Sequence, residues 1–324
     1  MSLTDDVLAG DRSGVARAIS MVEDGAAGLE ALSAELFPRT GRAFTVGLTG
    51  SPGVGKSTIV GELVGAARAQ GRSVAVLAID PTSPLSGGAL LGDRLRMQAH
   101  ATDPGVFIRS MATRGHLGGM ALAAPEAIRV LDAAGHDLVI VETVGVGQAE
   151  VDVAAATDTT VVVVSPGWGD AVQVAKAGIL EIADVFVVNK SDREGSEVAV
   201  RDLEQMLRMG PELPWTPPVV PTTATEGAGI DDLWAELELH RAHLASTGEL
   251  ERGRRDRLLR EVESLSLEKL RGRARDLLTN DGSLADDLTQ RRTDPYRTAA
   301  ILEDRITQGP VSYTHLTLPT IYSV

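Results

Sequence analysis

The sequence predicts an α/β fold in which a mostly parallel sheet is flanked by helices, with N- and C-terminal helical extensions. Three observations point there. Short Val-, Ile- and Leu-rich runs occur at Phe44 to Leu48, Ser73 to Ile79, Val106 to Ile108, Leu138 to Val141, Thr159 to Val164, Val185 to Val188 and Val219 to Val220. Runs without polar alternation fit strands buried on both faces, as in parallel sheets. Helical stretches separate most of them, the alternation that wraps such a sheet, and a glycine-rich string follows the first run directly.

Composition narrows the function classes. Hydrophobic residues make up 43% of the 324-residue chain against 23% charged, which argues against a disordered or fibrous protein. The 45 acids and 31 bases give a net charge of −14, opposing any general affinity for nucleic acid or anionic lipid. There is no cysteine, so disulfides and thiolate metal sites are excluded, and the six histidines are scattered. Met1 leads into Leu3, Asp5 and Asp6 with no basic-then-apolar pattern, and no run approaches the ~20 apolar residues that span a bilayer. The expected location is the cytoplasm, with neither nucleic acid nor membrane as a partner.

Residues 1–40 form a helical segment. Leu8, Val15, Ile19, Val22, Leu29, Leu32 and Leu36 recur mostly at three- and four-residue steps, predicting two amphipathic helices broken near Gly25. A nucleotide-binding domain is expected over 41–245. After the first strand comes Gly50-Ser51-Pro52-Gly53-Val54-Gly55-Lys56-Ser57, then a helix from near Thr58. That order is the context of a P-loop, whose glycines bring backbone N–H groups onto phosphate oxygens at a helix N-terminus. Gly50, Gly53, Val54, Gly55, Lys56, Ser57 and Thr58 are the expected nucleotide contacts, with Lys56 on the β- and γ-phosphates and the Ser57 hydroxyl on Mg2+.

Acids follow at two strand tips. Asp80 ends the second strand and Glu142 the fourth, beside the loop, where the magnesium shell is completed. Val146 occupies the place of a water-orienting glutamine in Ras-like GTPases, so unaided hydrolysis is expected to be slow or to recruit Gln148, Asp93, Arg94 or Arg96. Residues from Pro81 to Gly119 carry Arg94, Arg96, Arg109 and Arg114 among Gly, Ser and Thr, the character of a switch near a γ-phosphate.

The base is chosen further on. Val185 to Val188 runs into Asn189-Lys190-Ser191-Asp192, the NKxD string of GTPases. The Asp192 carboxylate can accept from the guanine ring N–H and exocyclic amine, which adenine does not offer. Asn189 and Lys190 brace the loop, and Thr223 and Ala224, after the last strand, are expected against the base. The prolines at 211, 214, 217, 218 and 221 mark a loop before that strand. Residues 246–310 read as a charged helical arm whose Leu250, Leu258, Leu259, Val262, Leu265 and Leu270 need a partner surface. Residues 311–324 hold two of the three tyrosines and no acid, and are treated as an extraneous tail.

Taken together, Gly50 to Thr58, Asp80-Pro81-Thr82-Ser83-Pro84 with Gly87 to Arg94, and Glu142 to Gln148 resemble the MeaB/ArgK branch of P-loop GTPases. Ser165 to Asp170, with Gln173 and Lys176, looks like that family's third switch. The resemblance runs from about residue 4 to about residue 308. It implies low basal GTP hydrolysis to GDP and a homodimer built through the C-terminal helices. It also implies a partner in methylmalonyl-CoA mutase or a related adenosylcobalamin-dependent acyl-CoA mutase, whose cofactor loading GTP gates and which the GTPase protects or reactivates. By motif position, Lys56, Ser57, Asp80, Asp93 and Glu142 are the phosphate, magnesium and catalytic group, and Asp170 with Lys176 relays nucleotide state. Trp168, between two glycines, is expected to report that state by fluorescence. The competing readings are a P-loop kinase, opposed by the guanine-selective NKSD string, and a GTPase metallochaperone, disfavoured by the lack of soft metal ligands. A binding module without turnover is the third.

Overall fold

The structure is a computed structural model that describes residues 2–81, 100, 102–113, 119–143, 148–166, 181–211, 213–280 and 282–308. Asp93, Arg94, Arg96, Arg114, Val146, Trp168, Asp170, Gln173, Lys176 and the tail from 311 lie outside the described residues, and for Asp80 and Gln148 only the backbone is described. The chain divides into two compact units, Met1–Glu261 and Val262–Val324.

The first unit opens with α1 (Leu3–Leu8), α2 (Arg12–Asp24) and α3 (Leu29–Leu36). Three helices therefore stand where two were expected. The break at Gly25 is present, with φ +57, and a second break falls at Gly10, with φ +71. Asp11 then caps α2 by accepting from the Gly14 N–H at 2.7 Å.

Seven strands follow: β1 (Phe44–Thr49), β2 (Val74–Pro81), β3 (Val106–Thr113), β4 (Leu138–Thr143), β5 (Thr159–Val164), β6 (Val185–Asn189) and β7 (Val219–Thr222). They form one sheet in the order β3-β2-β4-β1-β5-β6-β7, every pair parallel. Every strand but β5 runs past the end of its predicted apolar run, and the extensions of β3 and β7 carry residues that a buried strand would not predict. β3 stays paired with β2 from Val74↔Val106 to Pro81↔Thr113 although Arg109 and Ser110 interrupt its hydrophobicity. β7 includes Pro221, tolerated because an edge strand has one row of backbone groups with no strand partner.

The intervening helices are α4 (Lys56–Ala69), α5 (Gly119–Ala133), α6 (Gln148–Ala156), α7 (Ser196–Met209) and α8 (Ile230–Thr247). Successive strand residues point to opposite faces, and both faces are covered. On one face Val74 and Val76 belong to the same buried cluster as Ile59 and Leu63 of α4 and Leu233 and Leu237 of α8. On the other face Ala75 and Leu77 share a buried cluster with Ile19 of α2, Leu131 of α5 and Val153 of α6. Leu203 of α7 covers Val162 and Phe186. Each fully buried Val or Leu contributes about 1.5–3 kcal/mol, so the apolar runs alone favour this layered arrangement.

The long α9 (Glu249–Asn280) begins in the first unit. Arg254 and Arg257 converge on Asp158, which follows α6, and Arg254 also donates to the Ala43 carbonyl at 2.8 Å. One turn on, Glu261 accepts two hydrogen bonds from Arg129 of α5, both 2.6 Å. These positions share one helical face. The second unit holds the rest of α9, then α10 (Gly282–Thr289) and α11 (Pro295–Gln308). Along α9, Leu259, Val262, Leu265 and Leu270 are exposed in the single chain.

Candidate nucleotide site

Because all strands run the same way, their C-terminal ends share one edge of the sheet. β1 sits between β4 and β5 and leads into the loop from Gly50 to Gly55. Two glycines there are required by contact. Gly50, with φ +131, lies so close that a Cβ would run into the Val163 carbonyl oxygen, and Gly55, with φ +102, would meet the Asn189 side-chain nitrogen. Lys56 and Ser57 are the first residues of α4, with Thr58 next, and both are buried. The Lys56 ammonium donates to the Gly50 and Ser51 carbonyls at 2.6 and 3.0 Å.

Ser57 Oγ donates to Glu142 Oε1 at 2.6 Å. Register explains this meeting across 85 positions of sequence. Leu48 of β1 pairs with Glu142 of β4, and Ala78 of β2 pairs with it on the other side. Asp80 stands two residues further along β2 from that pairing.

The other flank is built by β6 and β7. Asn189 Nδ2 donates to the Val54 carbonyl at 2.7 Å, while its Oδ1 accepts from Thr222 Oγ1 at 3.1 Å and the Ala224 N–H at 3.2 Å. One buried amide thus joins the phosphate loop to both base-side loops. Lys190, held at φ +60, donates to the Gly53 carbonyl at 2.6 Å. Asp192 is exposed. Gly50, Gly53, Val54, Gly55, Lys56, Ser57, Thr58, Glu142, Asn189, Lys190, Thr223 and Ala224 therefore stand along one edge.

Arg109 does not belong with them. It lies on the outermost strand, β3, donating to Ser20 Oγ at 2.8 Å and Glu23 at 3.4 Å on α2. The period-two pattern was the available signal, since Phe107, Arg109 and Met111 share a strand face and the two apolar residues pack among the N-terminal helices. Ser191 and Ser196 carry hydrogen bonds within the base-side loops that no sequence pattern singled out.

A phosphate loop on the central strand, joined through Asn189 and Lys190 to an NKxD loop two strands away, defines a P-loop GTPase. The family described as "Methylmalonyl Co-A mutase-associated GTPase MeaB" matches residues 15–277, and the chain belongs to it. A protein of Pyrococcus abyssi carrying a GTPase name is 46% identical over 309 residues, 94% of this chain and 95% of that one. The mitochondrial methylmalonic aciduria type A homolog of Caenorhabditis elegans is 38% identical over 229 residues, 68% of this chain and 57% of that one. A solved structure titled LAO/AO transport system kinase superposes with TM-score 0.69 at 26% identity, covering 95% of this chain and 97% of that one. The protein is accordingly a guanine-nucleotide-binding enzyme that hydrolyses GTP. Among the described residues no helix is long and apolar enough to cross a membrane.

Proposed function

We propose that this GTPase turns over GTP slowly alone and, as a homodimer in the cytoplasm, serves methylmalonyl-CoA mutase or a related adenosylcobalamin-dependent acyl-CoA mutase. In this role it gates cofactor loading and protects or reactivates the enzyme. The family's mutase-associated description, matched over residues 15–277, supports the partner. The observation that carries the site is the buried Ser57 to Glu142 contact at the mouth of the phosphate loop.

In this reading the Gly50 to Gly55 backbone and Lys56 cradle the phosphates. Asp192 reads the guanine edge, with Thr223 and Ala224 closing the other side. A hydroxyl and a carboxylate are hard oxygen donors, and magnesium in nucleotide sites takes only one or two protein groups beside phosphate and water. Ser57 and Glu142 fit that demand and, with Asp80, would hold the ion. Bound magnesium would neutralise charge on the β- and γ-phosphate oxygens. Asp93 is assigned to the catalytic group with Lys56 and Glu142. The exposed apolar face of the arm over 246–310 supports its assignment as the dimer element.

The test is phosphate release by the purified protein with and without a cobalamin-dependent acyl-CoA mutase, with ATP as control. Slow, GTP-selective turnover that accelerates with the mutase is expected; turnover indifferent to the mutase refutes the partnership, and equal use of ATP refutes the base assignment.

A further inference from the structure

Asp192 makes no hydrogen bond among the described residues, so none of them tethers its carboxylate directly. A carboxylate that must meet two donors of a purine within hydrogen-bond distance then depends on the backbone that carries it. The neighbouring residue supplies that control. Ser191 donates its N–H to the Thr222 carbonyl at 2.9 Å, shares a hydrogen bond between its Oγ and Thr223 Oγ1 at 3.0 Å, and accepts at its carbonyl from Ser196 Oγ at 2.9 Å. Ser196 is the buried first residue of α7. Three segments, the ends of β6 and β7 and the start of α7, are thus fastened at one residue adjacent to the carboxylate. On the other side, Arg193 N–H donates to the Lys190 carbonyl at 3.0 Å, closing the turn across Asp192.

We propose that Ser191 and Ser196 are positioning residues for guanine selectivity, forming with Thr223 a hydroxyl brace that holds Asp192 in register with the purine. This rests on the reading of Asp192 as the base-recognising acid. The brace accounts for hydroxyls at positions where alanine would fill the same space, and for their buried or part-buried setting beside an exposed acid.

The experiment compares equilibrium affinities for GTP and ITP, which lacks the exocyclic amine, in the full chain and in Ser191→Ala, Ser196→Ala, Ser191→Thr and Asp192→Asn, with XTP as a further probe. In the wild type the GTP-to-ITP ratio reports one hydrogen bond to a charged group, about 10-fold or more. Each alanine variant is expected to cut that ratio by about fivefold, the worth of one ordinary hydrogen bond, while Ser191→Thr, which keeps a hydroxyl, retains it. Equal weakening of GTP and ITP, or an unchanged ratio in both alanine variants, overturns the brace. Asp192→Asn should gain XTP, because its amide can donate to the xanthine 2-carbonyl. Failure of that gain overturns the Asp192 reading itself and the brace with it, so the two failures are distinct. Ser196→Ala keeps the test decisive should Ser191→Ala not fold.

Discussion

Replacing Asp158 by alanine should cost more stability than any other single charge removal at the sheet's N-terminal edge. Its side chain is 1% exposed and accepts from Arg254 Nη2 at 2.8 Å and Nε at 3.1 Å, from Arg257, and from the Thr45 N–H at 3.1 Å. Burial pushes the Asp158 carboxyl up, but the Arg254 hydrogen bond and the charges of Arg257 and Arg254 outweigh it and hold the group below the ordinary carboxylate range. Its contribution is therefore complete above that range and is lost as pH falls through the depressed folded value. The variant would leave two guanidiniums, each about a fifth exposed, without their shared anion. Breaking a buried pair from one side costs about 3–5 kcal/mol, and the orphaned Thr45 N–H adds about 1 kcal/mol. Against a total of about 5–15 kcal/mol, that removes about a quarter of the stability at the least. Glu204→Ala, which removes the partner of Arg208 in a pair with side chains 77% and 42% exposed, should cost under about 0.5 kcal/mol. Urea titration at neutral pH compares the two. A loss below about 1 kcal/mol for Asp158→Ala, or equal losses in the two variants, would refute the assignment of a buried clamp.

The phosphate-loop glycines should separate by contact. Gly50→Ala and Gly55→Ala, whose new Cβ would strike the Val163 carbonyl and the Asn189 amide, should abolish measurable nucleotide binding, whereas Gly53→Ala, with φ +80 but open space, should lose only the ~1–2 kcal/mol of left-handed strain; calorimetric titration with GDP checks this, and equal losses at all three would contradict it. At the N-terminal ends of β5 and β6, burial raises Asp184 to about 6 and lowers His240 to about 4, the two side chains lying 3.5 Å apart. Asp184, with its folded pKa raised, loses its contribution as pH climbs from the ordinary carboxylate value through about 6, while His240, with its folded pKa depressed, gains over about 4 to its ordinary value. The two trends offset in the wild type. Asp184→Asn should therefore make stability rise with pH by at most about 1.4 kcal/mol per unit more than wild type. His240→Gln should make it fall, by less, because a third of the Asp184 side chain reaches solvent and is screened. Urea midpoints between pH 4 and 6 decide it, and parallel curves for all three proteins would sink the argument.

Much of the site was legible because parallel-sheet physics concentrates function at strand ends. Once Phe44 to Leu48 reads as a buried strand and Lys56-Ser57 opens a helix, the phosphate loop between them has one placement. NKSD at the end of another buried run then has to lie on the same edge. What failed was local. Three- and four-residue periodicity passes across a short break, so the turn at Gly10 was merged into one helix. The polar end of β3 was missed because an edge strand does not need a continuous apolar run to stay paired.

Chain order and residue type thus determined the fold class, the phosphate loop, the base loop and the family. They could do so because these features are contiguous in sequence and each carries its own chemistry. Only the tertiary structure decided that Glu142 meets Ser57, that Asn189 is the shared tie between three loops, that Ser191 and Ser196 stand behind Asp192, and that Asp158 anchors the start of α9. Those contacts join residues far apart along the chain or depend on hydroxyl direction. Strand register and helix packing set them, and no local pattern of residues records either.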